Sequence, residues 1–151
     1  MYLLDTNVIS ELRRVAMGRG AARVAGWQAS VAGQDCFLSV ITIMEIELGA
    51  LRKQRHDPVQ GDYLLDWLRT TVLPTFDDRI LSVTLPVARY CARIHVPDPQ
   101  PERDALIAAT ARVHDLVVVT RNTRDFVGTG VLLLNPWEST AIHEAPADYG
   151  A

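Results

Sequence analysis

Residues 1–7 are Met-Tyr-Leu-Leu-Asp5-Thr6-Asn7, a short apolar run that ends in a carboxylate and continues into polar residues. The apolar run predicts a buried strand over residues 2–4, and the polar residues begin a predicted helix over residues 6–14. An acid at the carboxyl end of a strand lies where open α/β sheets bind their ligands. Asp is also a common helix N-cap residue, so this stretch alone leaves both a capping and a functional role open for Asp5.

The rest of the chain alternates between apolar runs and helical patterns. Further strands are predicted over residues 36–39, 116–119 and 131–134, and residues 79–83 form either a strand or the apolar edge of a loop. Helices are predicted over residues 21–31, from 42 to about 52, and over 57–71, 86–95 and 102–114. Strands that alternate with helices indicate an α/β fold with a mostly parallel central sheet and helices on both faces.

Length and composition limit the class of protein. A chain of 151 residues that is 48% hydrophobic is sufficient for one domain with a sizeable core. We expect that domain over residues 1–136, followed by a tail over 137–151 that is either flexible or docked through Trp137. The net charge of −3 argues against a broad basic surface for nucleic acid.

Three features favour a cytoplasmic protein that does not enter a membrane. No apolar run approaches the roughly 20 residues of a membrane-spanning helix. The chain begins with an apparent strand and shows no basic secretory leader. Cys36 and Cys91 lie in apolar surroundings without metal-ligand spacing, which favours buried reduced thiols over a disulfide.

Three more acids occur in settings comparable to that of Asp5. Glu45 lies on the helix after the second strand, Asp104 in the first turn of a later helix, and Asp125 in a polar turn after residues 116–119. Each has a structural alternative. Glu45 could form a capping box with Thr42, Asp104 could interact with the helix dipole, and Asp125 could simply favour a turn.

The set is more informative than its members, because loops at the carboxyl ends of parallel strands converge. Two carboxylates about 6 Å apart repel each other by roughly 2–3 kcal/mol at an effective dielectric constant of about 20. A divalent cation relieves this repulsion, and Mg²⁺ or Mn²⁺ prefers oxygen ligands. The proposed cluster contains no His or Cys, which disfavours zinc. Such an ion would activate a water and neutralise charge on a phosphate.

Four segments carry a resemblance that extends from residue 2 to about 136. They are Leu-Leu-Asp5-Thr6-Asn7-Val-Ile-Ser10-Glu11, Ser39-Val-Ile-Thr42-Ile-Met-Glu45-Ile-Glu-Leu-Gly49, Asp104-Ala-Leu-Ile-Ala-Ala-Thr-Ala111 and Thr120-Arg-Asn122-Thr-Arg-Asp125-Phe126. In these segments and their order the chain resembles the PIN-domain nucleases. Within that family it resembles the VapC-type toxins of bacterial toxin–antitoxin pairs, including the FitB-like branch.

The resemblance implies a PIN-like three-layer sandwich and a Mg²⁺- or Mn²⁺-dependent endoribonuclease. It also implies a homodimer that a small cognate antitoxin inhibits, and operator DNA bound only through the antitoxin complex. The RNA substrate could be a tRNA or an rRNA. The acids that would bind the metal and act in catalysis are Asp5, Glu45, Asp104 and Asp125. The supporting polar residues would be Asn7, Thr120 and Asn122.

The sequence also leaves open the role of two arginines and two other functions for the protein. Arg121 and Arg124 flank Asp125 and are either phosphate contacts or solvated loop charges. One alternative is a catalytically silent partner that binds an antitoxin or an operator, although the presence of all four acids argues against it. An aspartyl phosphotransferase of the haloacid-dehalogenase kind would need a second Asp where the chain has Asn7.

Overall fold

The computed structural model describes residues 1–147, so residues 148–151 of the predicted tail lie outside the described residues. The strands are β1 (Tyr2–Leu4), β2 (Cys36–Ser39), β3 (Ile80–Leu81), β4 (Val117–Val119), β5 (Leu132–Leu134) and β6 (His143–Glu144). The α-helices are α1 (Thr6–Ala16), α2 (Ala22–Ser30), α3 (Val40–His56), α4 (Pro58–Trp67), α5 (Leu73–Thr75), α6 (Leu85–Ile94) and α7 (Glu102–Val113).

The strands form one sheet in the order β3-β2-β1-β4-β5-β6. Every neighbouring pair is parallel except β5 and β6, which are antiparallel. In the register of the central strands, Leu3 lies opposite Phe37 of β2 and Val118 of β4. The predicted α/β fold with a mostly parallel sheet is therefore confirmed.

Alternating residues of the strands contribute to two separate hydrophobic cores, one on each face of the sheet. Leu3, Val118 and Leu133 pack on the face that α6 and α7 cover. Leu4 and Val119 pack on the opposite face, together with residues of α1, α2 and α3. Because successive side chains of a strand point to opposite faces, β4, which is buried on both faces, is apolar at every position rather than at every second one. The result is the three-layer sandwich expected from the sequence.

Several element boundaries differ from the predictions. Helix α3 continues to His56, beyond the predicted end near residue 52, and the Asp57 side chain then caps α4 by accepting from Gln60 N at 3.1 Å. The helix predicted over 57–71 is divided into α4, a π-helical turn (Leu68–Val72) and the short α5. The open choice for residues 79–83 resolves as a strand, Ile80–Leu81, which pairs with β2.

Helices α3 and α4 form a hairpin whose closest approach is at Gly61. This residue is buried, and a Cβ added to it would collide with the backbone of Gln54. By contrast, a Cβ added to Gly26 in α2 would meet open space. The two glycines therefore differ in purpose, since only Gly61 permits close helix packing.

The segment after β5 returns to the sheet. Ala145 N donates to Val131 O at 2.8 Å, and Gly128 N donates to Pro146 O at 2.8 Å. Strand β6 was not predicted, because His143 and Glu144 are polar and exposed and so give no apolar strand pattern.

Residues 1–147 include no helix with the length and apolar character needed to cross a membrane. In this part of the chain Cys36 and Cys91 are buried free thiols.

Candidate active site

The sheet reverses its strand order at β1, which has β2 on one side and β4 on the other. Asp5 directly follows β1, and its backbone N–H donates to Val119 O at 2.9 Å. Thr120 directly follows β4. Crevices at the carboxyl ends of strands, where the strand order reverses, are the usual ligand sites of open α/β sheets. Asp5 and Thr120 therefore lie on the two sides of the crevice that the topology creates.

The two oxygens of the Asp5 carboxylate have different hydrogen-bond partners. Its Oδ1 accepts from Thr6 N at 2.8 Å and so caps α1. Its Oδ2 accepts from the hydroxyl of Thr120 at 2.8 Å. The side chain is nearly buried, with Asp5 only 6% exposed. Burial raises the pKa of Asp5 above its usual value, although the hydrogen bonds from Thr120 and Thr6 oppose the increase and nearby Asp125 adds to it.

Asn7 joins the two sides of the crevice. Its Nδ2 donates to Thr120 Oγ1 at 3.3 Å and lies 3.4 Å from Asp5 Oδ2. Its Oδ1 accepts from Arg121 N at 3.2 Å. Asn122 takes part through its backbone, whose N–H donates to Thr120 Oγ1 at 3.0 Å. The three predicted supporting residues thus belong to one hydrogen-bonded network around Asp5.

Glu45 faces the same edge from α3. Its Oε1 accepts from the hydroxyl of Thr6 at 2.8 Å, and its Oε2 lies 3.9 Å from Arg103 Nη1. The capping-box alternative for Glu45 is wrong, because Ser39 caps α3 by accepting from Ile41 N at 3.0 Å. Burial raises the pKa of Glu45, and the Asp5 carboxylate raises it further, against the opposing effects of Thr6 and Arg103.

Asp104 shows how closely the acids interact. It lies half-buried in the first turn of α7. Burial and then the charges of Asp5, Asp125 and Glu45 raise its pKa to about 7, although Arg103 lowers it. Like charges disfavour ionisation only when they are near one another. The structure therefore brings all four predicted acids within electrostatic reach, which none of the local alternatives requires.

Three of the four acids border cavities at this edge. Glu45 and Asp104 border a cavity of about 590 Å³, together with Arg103. Asp125, exposed on a short 3₁₀ helix (Thr123–Phe126), borders another of about 720 Å³ that also contains Arg121 and Arg124.

The chemistry of this donor set fits a hydrated divalent cation. All of the candidate ligands are oxygens, and burial, with a smaller contribution from neighbouring carboxylates, raises the pKa values of Asp5, Glu45 and Asp104. As arranged over residues 1–147, no three His, Cys, Asp or Glu side chains form a group that could hold an ion directly between them. Mg²⁺ commonly keeps several waters and takes only one or two carboxylates directly, so it does not need such a cage.

Three neighbours of the site were not singled out from the sequence. Thr6 orients Glu45, Arg103 approaches Glu45, and the Trp137 ring lies under the guanidinium of Arg121 at 5.2 Å. Thr6 lies between two predicted site residues in the first motif, so its position was the available signal. Arg103 and Trp137 gave none, because their proximity depends on how distant segments pack.

The model of the PIN domain family matches residues 2–131, which include all four acids. The chain belongs to the PIN domain family. Toxin FitB of Neisseria gonorrhoeae (strain ATCC 700825 / FA 1090) is 37% identical over 142 residues, covering 91% of this chain and 99% of that protein. VapC ribonuclease Y4jK of Sinorhizobium fredii (strain NBRC 101917 / NGR234) is 32% identical over 143 residues, covering 91% and 99%.

Among solved structures, FitAB bound to an IR36 DNA fragment contains a chain similar to this PIN domain. The two superpose with a TM-score of 0.79 at 35% identity, covering 95% of this chain and 100% of that one. The match spans nearly the full length of both chains, so it includes the sheet and the acidic edge together. The resemblance inferred from the four motifs is confirmed at the level of the family.

Proposed function

We propose that this PIN domain is a metal-dependent endoribonuclease, the toxin of a toxin–antitoxin pair, that cleaves RNA phosphodiester bonds. The observation that carries the proposal is the hydrogen-bonded arrangement of the acids at the carboxyl edge of the sheet, where Thr120 donates to Asp5 and Thr6 donates to Glu45, each at 2.8 Å. Asp104 supports it, because burial and the charges of three other carboxylates raise its pKa to about 7. Carboxylates gathered in this way repel one another, and a bound divalent cation would relieve that repulsion. The names of toxin FitB and VapC ribonuclease Y4jK support the assignment.

Asp5, Glu45, Asp104 and Asp125 are the residues that would hold Mg²⁺ or Mn²⁺. When bound, the ion supplies an activated water and neutralises the charge that develops on the phosphate. The protein supplies the orientation of the ligands. Thr120 and Thr6 each donate one hydrogen bond of 2.8 Å, to Asp5 and Glu45 respectively, and these bonds fix the carboxylates.

The substrate is held by positive charge beside the acids. Arg121 and Arg124 border the cavity that Asp125 also borders, and guanidinium groups match the geometry of phosphate oxygens. The backbone N–H of Arg121 donates to Asn7, which couples this loop to the acidic cluster. A phosphate bound by these arginines would therefore lie next to the carboxylates, with its neighbouring nucleotides in the adjoining cavity.

We further propose a cytoplasmic homodimer that a small antitoxin inhibits, that binds operator DNA only through that antitoxin, and that cleaves a tRNA or an rRNA. The similar chain in the FitAB–DNA structure supports a protein partner and a link to DNA. Light scattering of the purified protein measures the dimer. An electrophoretic shift of the operator DNA that requires the product of the adjacent gene supports the partner, and a shift by this chain alone contradicts it.

The catalytic proposal is tested by RNA cleavage with matched variants of one helix. Glu45→Gln removes a candidate metal ligand, whereas Glu47→Gln removes an exposed acid two positions away on α3. We expect Glu45→Gln, Asp5→Asn and Asp104→Asn to lose cleavage and growth arrest, and Glu47→Gln to retain both. Chelation with EDTA should stop cleavage by the unsubstituted protein, and Mg²⁺ or Mn²⁺ should restore it.

Two results would defeat the catalytic proposal. One is metal-dependent cleavage that persists in both Asp5→Asn and Asp104→Asn. The other is growth arrest that does not depend on Asp5, which would favour the silent binding partner considered from the sequence. Circular dichroism of each variant shows whether the fold is intact, so that loss of activity can be assigned to chemistry.

A further inference from the structure

The cavity of about 720 Å³ beside Asp125 has a second wall, lined by Asn135, Trp137 and Glu138, to which none of the four candidate metal-binding acids belongs. This wall is formed by the turn after β5, where Trp137 is partly buried and packs against the core that includes Leu134. The guanidinium of Arg121 lies over the Trp137 ring at 5.2 Å from its centroid. The volume lies within the roughly 300–1,000 Å³ that is typical of small-ligand sites.

The backbone that carries Arg121 and Trp137 is held in place by several hydrogen bonds. Trp137 N donates to Asn135 Oδ1 at 3.0 Å, and Asn135 is only 6% exposed. From helix α2, Arg23 Nη1 donates to Glu138 O at 2.5 Å. Arg121 N is fixed by Asn7 at 3.2 Å. A stacking surface that is already ordered loses little conformational entropy when a ligand binds.

The chemistry of the wall suits one kind of group. Aromatic rings and guanidinium planes are the two surfaces on which proteins stack unpaired bases of RNA. The cavity also contains Arg124, so a nucleotide could place its phosphate near the arginines and its base on the stacked pair. Asp125 borders the same cavity, so such a nucleotide would lie next to the acidic cluster.

We propose that the Arg121–Trp137 pair is a nucleobase-stacking subsite that binds an unpaired base of the RNA next to the phosphate to be cleaved. This inference rests on the proposed ribonuclease function. It predicts that the protein distinguishes single-stranded RNA with bases from a backbone without bases. It also makes Trp137 a residue that determines substrate binding rather than only a tail anchor.

The test measures binding in the Asp5→Asn background, where cleavage does not interfere. The probes are a fluorescent six-nucleotide oligoadenylate and an abasic ribose-phosphate oligomer of the same length, compared by fluorescence anisotropy with Mg²⁺ and at fixed salt. Base stacking typically changes affinity by roughly five- to 150-fold per base. We expect oligoadenylate to bind at least about tenfold more tightly than the abasic oligomer.

Trp137→Leu should weaken binding of oligoadenylate by about tenfold and leave the abasic oligomer unchanged, while Trp137→Phe should retain most of the difference. The matched control is Phe76→Leu. Phe76 lies under Arg79 at the same 5.2 Å, but before β3 and so at the opposite edge of the sheet. This control should bind both probes as the background protein does.

Equal affinity of the background protein for the two probes overturns the subsite, and this comparison needs no substitution of Trp137. Unchanged binding of oligoadenylate by a folded Trp137→Leu protein also overturns it. The subsite and the proposed function fail in different ways. If the unsubstituted protein cleaves RNA but shows no base preference, only the subsite is wrong, whereas absence of cleavage with Mg²⁺ and Mn²⁺ contradicts the ribonuclease function.

Discussion

Asp104→Asn should make the metal-free protein more stable at neutral pH even though we expect it to abolish RNA cleavage. The pKa of Asp104 is raised from 3.8 to about 7 in the folded protein. A difference of about three pKa units corresponds to at most about 4 kcal/mol of unfavourable free energy in the ionised form. Because the side chain is only half-buried, solvent screening reduces this value, and we take about half, roughly 2 kcal/mol. For a domain of this size that corresponds to an increase in Tm of about 4–8 °C.

The sign of the pH dependence follows from the same shift. Between about pH 4 and pH 7 the folded protein keeps the proton of Asp104 while the unfolded chain has released it. Stability therefore falls as the pH rises through this range and levels off above about pH 7. Asp104→Asn lacks this contribution. The difference in Tm between variant and wild type should be large near pH 8 and should shrink as the pH falls towards about 5.

The assay is thermal unfolding followed by circular dichroism, in EDTA and again in Mg²⁺. Added Mg²⁺ should stabilise the wild type more than Asp104→Asn, because only the wild type keeps the full ligand set. The control is Glu102→Gln, which removes an exposed acid from the same first turn of α7 and should lower stability slightly through the helix dipole. A variant that is less stable than wild type at pH 8 in EDTA, or a difference that does not change with pH, would refute the reasoning.

Two further predictions concern packing and hydrogen bonding away from the acids. Gly61→Ala should lower the free energy of unfolding by about 1–3 kcal/mol in urea titrations, because the added Cβ would collide with α3. The control, Gly26→Ala, should raise the free energy of unfolding by about 0.5–1 kcal/mol. Equal effects of the two substitutions would show that the helices do not approach closely at Gly61. The buried Glu11 side chain, which is 8% exposed, accepts from Ala21 N at 2.8 Å. Glu11→Ala should therefore lower the free energy of unfolding by about 1–3 kcal/mol, and Glu11→Gln should retain most of the stability that Glu11→Ala loses. Gln and Ala variants of equal stability would contradict a role for this hydrogen bond.

The fold was predictable where a single local pattern determined the structure. Most residues of the apolar runs that became β1, β2, β4 and β5 are buried, so these runs differ from their surroundings in composition alone. The division of residues 57–75 into α4, a π-helical turn and α5 was not predictable, since the sequence there keeps a helical pattern throughout. Strand β6 was also missed, because pairing with β5 rather than burial defines it.

The site followed a similar division. Asp5 was identified because it follows a strand, whereas Asn7 and Thr120 were implied by the resemblance to the PIN-domain nucleases. The topology of a parallel sheet brings these positions together. The contact of Thr6 with Glu45 joins residues on two different helices, and no spacing in the chain reveals it. The Arg121–Trp137 pair likewise depends on how the turn after β5 folds back over the loop after β4. Residue types indicated the chemistry, while the contacts that orient it required three-dimensional packing.

Strand β6 has a consequence for how the chain can be shortened. It pairs with β5, whose residues are all leucine and whose first member, Leu132, is 42% exposed. Truncation before residue 143 would leave the backbone amides and carbonyls along this apolar edge strand without partners. Exposed edge strands of this kind pair with strands of other molecules and cause aggregation. The short β6 segment thus protects the edge of the sheet and prevents it from pairing with a strand of another molecule.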